Sequence, residues 1–200
     1  MDYIIMDLEW NQPVVAKKRI KGLDGDIIQI GALKVDENMN VKDELNITVK
    51  PKYYSRMNHN VQELTGITQS MIDSAEYNLE SAIDKLKEWA GEDYSFVTWS
   101  FSDIYMLLNN FEKYEIDSNW LPECYDAQLM FDDLEMQEGR NYALNYALFH
   151  FNERPENSHD ALDDAKSTVK ILKHLDLSEG FTDYFAWGLS WNSQGSELLA

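Results

Sequence analysis

The sequence predicts an α/β domain: a central mixed β-sheet flanked by helices. Three observations predict it. Strand-like segments fill the first third of the chain, helical periodicity dominates the rest, and a strand leads directly into a helix in mid-chain. At 200 residues the chain fits one domain with a tail. The expected division is a main domain over 1–178 and an aromatic C-terminal tail over 179–200.

The elements follow in order. Tyr3-Ile4-Ile5-Met6 is a short apolar run that ends in Asp7-Leu8-Glu9. Residues 27–35 (IIQIGALKV) are apolar and β-branched, and residues 44–50 (ELNITVK) alternate at period two. Turn residues at 22–26 and 36–38 separate these runs and predict a three-strand meander. Leu79, Ala82, Ile83, Leu86 and Ala90 recur at helical spacing. A strand over 95–99 then feeds a helix beginning near Ser102, the expected N-cap. Further helices are predicted over 126–138, 142–151 and 159–175. The tail from Phe181 is aromatic; it either packs on the domain or docks a partner.

Composition excludes several classes. Hydrophobic residues make up 44% and charged residues 26%, ordinary values for a packed globular chain. The single Cys124 excludes an internal disulfide framework and suits a reducing cytoplasm. With no neighbouring basic partner it is expected to be buried and inert. The N-terminus lacks a basic n-region, and no apolar stretch is long enough to span a bilayer, so neither signal peptide nor membrane association is expected. The expected compartment is the cytoplasm. The net charge of -19 is distributed unevenly: residues 1–60 carry 9 basic and 9 acidic side chains, and residues 61–200 carry 8 and 27. Broad coating of nucleic acid is therefore excluded, whereas a local site completed by cations is not. Lys17, Lys18, Arg19 and Lys21 form the one dense basic cluster, either a solvated loop or a phosphate contact.

The acids carry the chemistry. Asp7 and Glu9, two apart on a strand, share a face and repel unless a cation or proton lies between them. Hard oxygen ligands suit magnesium or manganese. Asp103 falls in the first turn of the helix after the mid-chain strand, where helix-dipole complementarity accounts for it equally well. In SHDALDDAKSTVKIL, Asp160 is a good N-cap and Asp163 completes a capping box. That leaves His159 before the helix and Asp164 within it, neither needed for the cap. A histidine beside a carboxylate is suited to proton transfer near neutral pH. His59, His150 and His174 belong to no motif.

Asp7-Leu8-Glu9, Asp103 and His159 to Ala165, in this order and spacing, resemble the DEDDh 3′→5′ exonucleases, the DnaQ-like group with a ribonuclease H-like fold. LTGIT (64–68) resembles the family turn near a substrate 3′ end, and TWSFSD (98–103) resembles the second motif of the RNA-directed and KapD-like branch. That motif departs from the family in carrying Ser100-Phe101-Ser102 where Gly or Asn often precedes the acid. The resemblance covers about four-fifths of the chain and leaves out the tail from Phe181.

The resemblance implies a metal-dependent exonuclease. Asp7, Glu9, Asp103 and Asp164 would hold two Mg²⁺ or Mn²⁺ ions, with Asp7 bridging, and His159 would take the proton of the attacking water. The substrates would be single-stranded 3′ ends, RNA ahead of DNA, and the products nucleoside 5′-monophosphates. Leu8, Trp10, Thr65 and Gly66 are the expected substrate contacts, with Trp10 either stacking on a base or filling the core. Asn11 and Met57 are further, weaker candidates. Two other readings stand beside this one. The first is a proofreading-type DNA exonuclease. The second is a KapD-like regulatory member with little or no nuclease activity, binding a protein partner through its acidic surface or its tail.

Overall fold

The computed structural model describes residues 1–136, 140–155 and 157–188. Seven strands form one sheet in the order β4-β3-β2-β1-β5-β6-β7. β1 (Asp2–Asn11), β2 (Asp26–Val35) and β3 (Val41–Lys50) are the expected antiparallel meander, each longer than its apolar run. After α1 (His59–Thr65) and α2 (Gln69–Asp73), β4 (Tyr77–Asn78) adds a parallel edge to β3. α3 (Leu79–Ala90) has the predicted span and leads to β5 (Tyr94–Thr98), parallel to β1. α4 (Phe101–Tyr114), β6 (Cys124–Asp126) and α5 (Ala127–Leu134) follow. α6 (Leu144–His150), α7 (Ala161–Leu172) and β7 (Phe185–Trp187) complete the order.

The alternation of β1 sorts the helices into two layers. Ile4, Met6 and Leu8 face one core with α3 and α4. Ile5 faces the other, with α5, α6 and α7. Period two therefore turns Asp7 and Glu9 toward α7, the layer that carries Asp164. β1 pairs with β5 only from Asp2 to Ile5, so the second half of β1 projects beyond its parallel neighbour. A crevice opens there, at the carboxyl end of the strand, where open α/β sheets place ligands.

Several expected boundaries move. The N-cap of α4 is Ser100, whose hydroxyl accepts from the Ser102 N–H at 3.2 Å, not Ser102 itself. Thr98 Oγ1 donates to the Ser100 carbonyl at 2.7 Å, and the strand ends at Thr98, one residue before the expected 99. α5 ends at Leu134, short of the expected 138; residues 137–139 lie outside the described residues. α6 begins at Leu144 instead of Tyr142, since Asp132 accepts the Asn141 and Tyr142 N–H groups and holds that segment off the helix. α7 starts after its expected cap Asp160 and ends at Leu172.

Of the aromatic tail, Phe181 is buried and β7 pairs antiparallel with β6. Residues 189–200 lie outside the described residues. Cys124 is buried in β6, and burial, with the nearby Glu123 charge, pushes the thiol pKa up. Among the described residues no helix is long and apolar enough to cross a membrane.

Candidate active site at the end of the central strand

The pocket begins with backbone. Beyond Ile5, β1 has no ladder partner on its β5 side, and the Leu8 N–H donates instead to Asp103 Oδ1 at 3.1 Å. One hydrogen bond thus ties the first turn of α4 to the strand that carries Asp7 and Glu9. Ser100 and Asp126 fix the start of α4, Asp126 accepting the Phe101 N–H at 3.0 Å.

α7 is seated from the other layer. Gly31 lies opposite Asp7 in the ladder, and a Cβ there would sit 2.1 Å from the Leu162 nitrogen. Only glycine lets the start of α7 come this close. Gln29, opposite Glu9, donates to Asp160 Oδ2 at 2.9 Å and accepts the Ala161 N–H at 3.2 Å. His159, just before the cap Asp160, has φ of 66°, a left-handed conformation uncommon outside glycine. Its backbone N–H donates to Asp164 Oδ2 at 2.9 Å, which fixes this backbone.

The result is a pocket of about 380 Å³. Asp7, Glu9, Asp103, His159 and Asp164 all line it, as do Leu8, Trp10 and Thr65. Ligand atoms of Glu9, His159 and Asp164 lie within 4.8 Å of one another. Asp7 and Asp103 join the pocket from β1 and α4. The Leu8 side chain is only 2% exposed, so it supplies mainly backbone here. Trp10 follows a register shift after Glu9; it packs against the α3/α4 core and still lines the pocket, so core and wall are one role. The Thr65 hydroxyl is engaged in its own helix end, donating to the Val61 carbonyl.

Gly66 is not brought to the pocket wall. It is the left-handed cap of α1, with φ of 73°, which turns the chain toward α2. Asn11 is buried and clamps the 54–58 segment, donating to the Tyr54 and Arg56 carbonyls. Met57 is buried in a small cluster with Ile28, Ile67 and Ile72. Sequence reasoning missed Gln12, Val61, Leu64, Trp99 and Leu144 on the wall. Leu64 stands in the quoted LTGIT turn and so was within reach; Leu144 had no local signal.

The electrostatics are one-sided. Among the described residues no Lys or Arg lines the pocket. Burial raises the pKa of Asp7 well above the ordinary value, and the charges of Asp103, Asp164 and Glu9 add to it. Burial, then Asp164 and Asp103, push Glu9 up to about 8. Asp103 and Asp164 are also raised by burial, partly offset by the N–H groups of Leu8 and His159. Such a set is complete only with cations or protons. Carboxylate oxygens with one imidazole fit magnesium or manganese.

A model of the exonuclease family RNase_T matches residues 4–172. The chain belongs to that exonuclease family. A PolC-type DNA polymerase III of Clostridium perfringens is 28% identical over 182 residues, 86% of this chain and 11% of that protein. Its counterpart from Thermotoga maritima is 29% identical over 164 residues, 80% of this chain and again 11% of the relative. The chain thus spans about a ninth of the length of these relatives.

Among solved structures, the nuclease domain of 3′hExo, a DEDDh family member bound to rAMP, superimposes with a TM-score of 0.76 at 17% identity. That match covers 90% of this chain and 93% of the other. S. pombe Pop2p in a Mg²⁺- and Mn²⁺-bound form gives a TM-score of 0.65 at 20% identity, covering 88% and 83%. The ribonuclease H-like exonuclease fold expected from the motifs is the fold of this chain.

Proposed function

We propose that this exonuclease-family chain removes nucleotides from the 3′ ends of single-stranded RNA or DNA, releasing nucleoside 5′-monophosphates. The observation that carries the reading is the convergence of Asp7, Glu9, Asp103 and Asp164 with His159 in one pocket that, among the described residues, no Lys or Arg lines. Asp7, Glu9, Asp103 and Asp164 would hold two divalent ions, Mg²⁺ or Mn²⁺. When bound, such ions stabilise charge on the attacking and leaving oxygens of a phosphoryl displacement.

The protein's own groups do the rest. The imidazole of His159 accepts the proton of the attacking water. The left-handed backbone and the bond to Asp164 hold it at the pocket edge. The wall formed by Trp10 and the Leu8 backbone orients the terminal nucleotide, and Thr65 borders it from α1. Both sugars remain in play: PolC-type relatives are DNA polymerases, whereas the 3′hExo domain is bound to rAMP.

The test is a gel assay on 5′-labelled single-stranded RNA and DNA with Mg²⁺, Mn²⁺ or EDTA. A metal-dependent ladder shortening from the 3′ end, absent in Asp7→Ala, is expected. Absence of shortening on both strands in both metals overturns the reading. It would favour a regulatory, partner-binding member, for which the acidic balance of residues 61–200 is the supporting observation.

A further inference from the structure

A second cavity, of about 590 Å³, adjoins the reaction pocket and shares Trp10, Ser100 and Ser102 with it. Its floor is the outer face of α4. Phe101 and Tyr105 stand one turn apart on that face, 40% and 44% exposed. Residues at i and i+4 of a helix present their side chains side by side, about 5–6 Å apart at Cβ. Two exposed aromatic rings at the first two turns of a helix are costly to solvation and contribute little to the core. Asp103, between them in sequence, points the other way into the reaction pocket.

Trp10 forms the divide. A Cβ at Gly25 would lie 2.4 Å from its ring, so the ring rests against bare backbone and borders both cavities. At the far end the Tyr105 hydroxyl donates to the Asp24 carboxylate, and Arg19 pairs with Asp24 at 3.9 Å. The basic loop is thereby anchored at the Tyr105 end of the groove. Lys17 and Lys18 occupy an exposed 3₁₀ turn of that loop, and among the described residues no carboxylate pairs with Lys17, Lys18 or Lys21. In a chain of net charge -19, Lys17, Lys18, Arg19 and Lys21 are the one dense run of basic side chains.

We propose that this groove takes the nucleotides upstream of the scissile bond, bases stacked on Phe101 and Tyr105 and phosphates met by the Lys17–Lys21 loop. The inference rests on the exonuclease reading above and names how the substrate strand is held. Continuity with the reaction pocket selects the substrate strand over a separate ligand. Base–aromatic stacking with basic side chains along the backbone is how single strands are held without sequence preference. The reaction pocket then does the cutting, and the groove sets the length of strand that binds well.

The test compares the double variant Phe101→Ala/Tyr105→Ala with the wild type on two substrates. One is a single-stranded octamer; the other is the p-nitrophenyl ester of thymidine 5′-monophosphate, which fills the reaction pocket alone. Stacking of one or two bases is worth roughly 10- to 100-fold, so kcat/KM on the octamer should fall by about that factor, through KM. On the ester it should fall less than about threefold. Tyr105→Phe keeps the ring and loses only the Asp24 bond, and should cost less on the octamer than the double variant. An equal loss on both substrates, or none on the octamer, overturns the proposal.

Should the wild type cleave neither substrate, the exonuclease reading fails by itself. The groove is then decided by fluorescence anisotropy of a labelled octamer in Ca²⁺. A Kd at least about tenfold weaker in the double variant upholds it, and an equal Kd overturns it.

Discussion

Asp7 and Asp26 lie on neighbouring strands, and both are carboxylates whose pKa burial raises. Asp26 is fully buried, and donors surround it: Tyr53 N–H at 2.7 Å, Tyr54 N–H at 2.8 Å and the Tyr114 hydroxyl. Burial raises its pKa, and these bonds pull it back. Among the described residues no donor meets the Asp7 or Glu9 carboxylate; Asp7 meets the charges of Asp103, Asp164 and Glu9 instead. The difference teaches that a buried acid by itself marks nothing. An acid supplied with donors fastens the fold, here the 53–54 segment and α4 to β2. An acid supplied with other acids requires something from solution.

The largest expected effect would break this comparison at its functional end. Asp7→Ala should lower cleavage by about 10³-fold or more, since the loss of metal-based charge stabilisation amounts to several kcal/mol. Its thermal melt in EDTA should be no lower than that of the wild type, because a repelling charge has gone. A wild-type rate would show that the cluster is not catalytic. His159→Ala should lower kcat by about 10²–10⁴-fold, as removal of a general base does. Calorimetric titration with Mn²⁺ should show nearly unchanged affinity. Because His159 lies within ligating range of Glu9 and Asp164, a lost binding isotherm would make it a metal ligand instead.

Asp26→Ala tests the structural end. It strands three donors, whose bonds to a charged group contribute about 1.5–3 kcal/mol each, but it also removes the burial cost of the carboxylate, so a net loss of roughly 3 kcal/mol is expected. For a chain of this size that lowers the melting temperature by about 6–12 °C. Metal affinity should not move; if it did, the two acid sites would not be separate.

The smallest effect is in pH. Glu9 is raised to about 8 from an ordinary value of 4.5, so the folded state binds the proton more tightly than the unfolded state. Stability of the metal-free protein is therefore greatest at low pH in this window and falls as pH rises from about 4.5 to about 8. Melting temperatures in EDTA should drop by a few degrees across that range, and Mg²⁺ should restore them. A flat profile in EDTA would mean that the cluster does not repel as its geometry requires.

Much of this was legible because it is local. α3 was read from an apolar 3.6-residue stripe written within the twelve residues Leu79–Ala90; its cap, Asn78, was not read. Asp160 caps α7 by its own side chain, as its position predicts. The α4 cap was misplaced because two serines two residues apart compete. Thr98, bonding to the Ser100 carbonyl, decides between them. The helices α1 and α2 are too short for a stripe and were not visible. Gly66 was legible as a turn, but its side of the pocket was not.

By itself the sequence determined that Asp7 and Glu9 share one face of β1, because strand side chains alternate at period two. It also determined that Asp164 and His159 are spare once Asp160 has capped its helix. Only the tertiary structure decided that these groups meet. That depends on contacts between residues far apart: Gly31 under the start of α7, Gln29 reaching Asp160, and Leu8 holding Asp103 across 95 residues of chain. The physical reason is that propensity and capping act within a turn or two. The approach of two layers is fixed by close packing and by backbone groups left without a ladder partner, and neither is local in sequence.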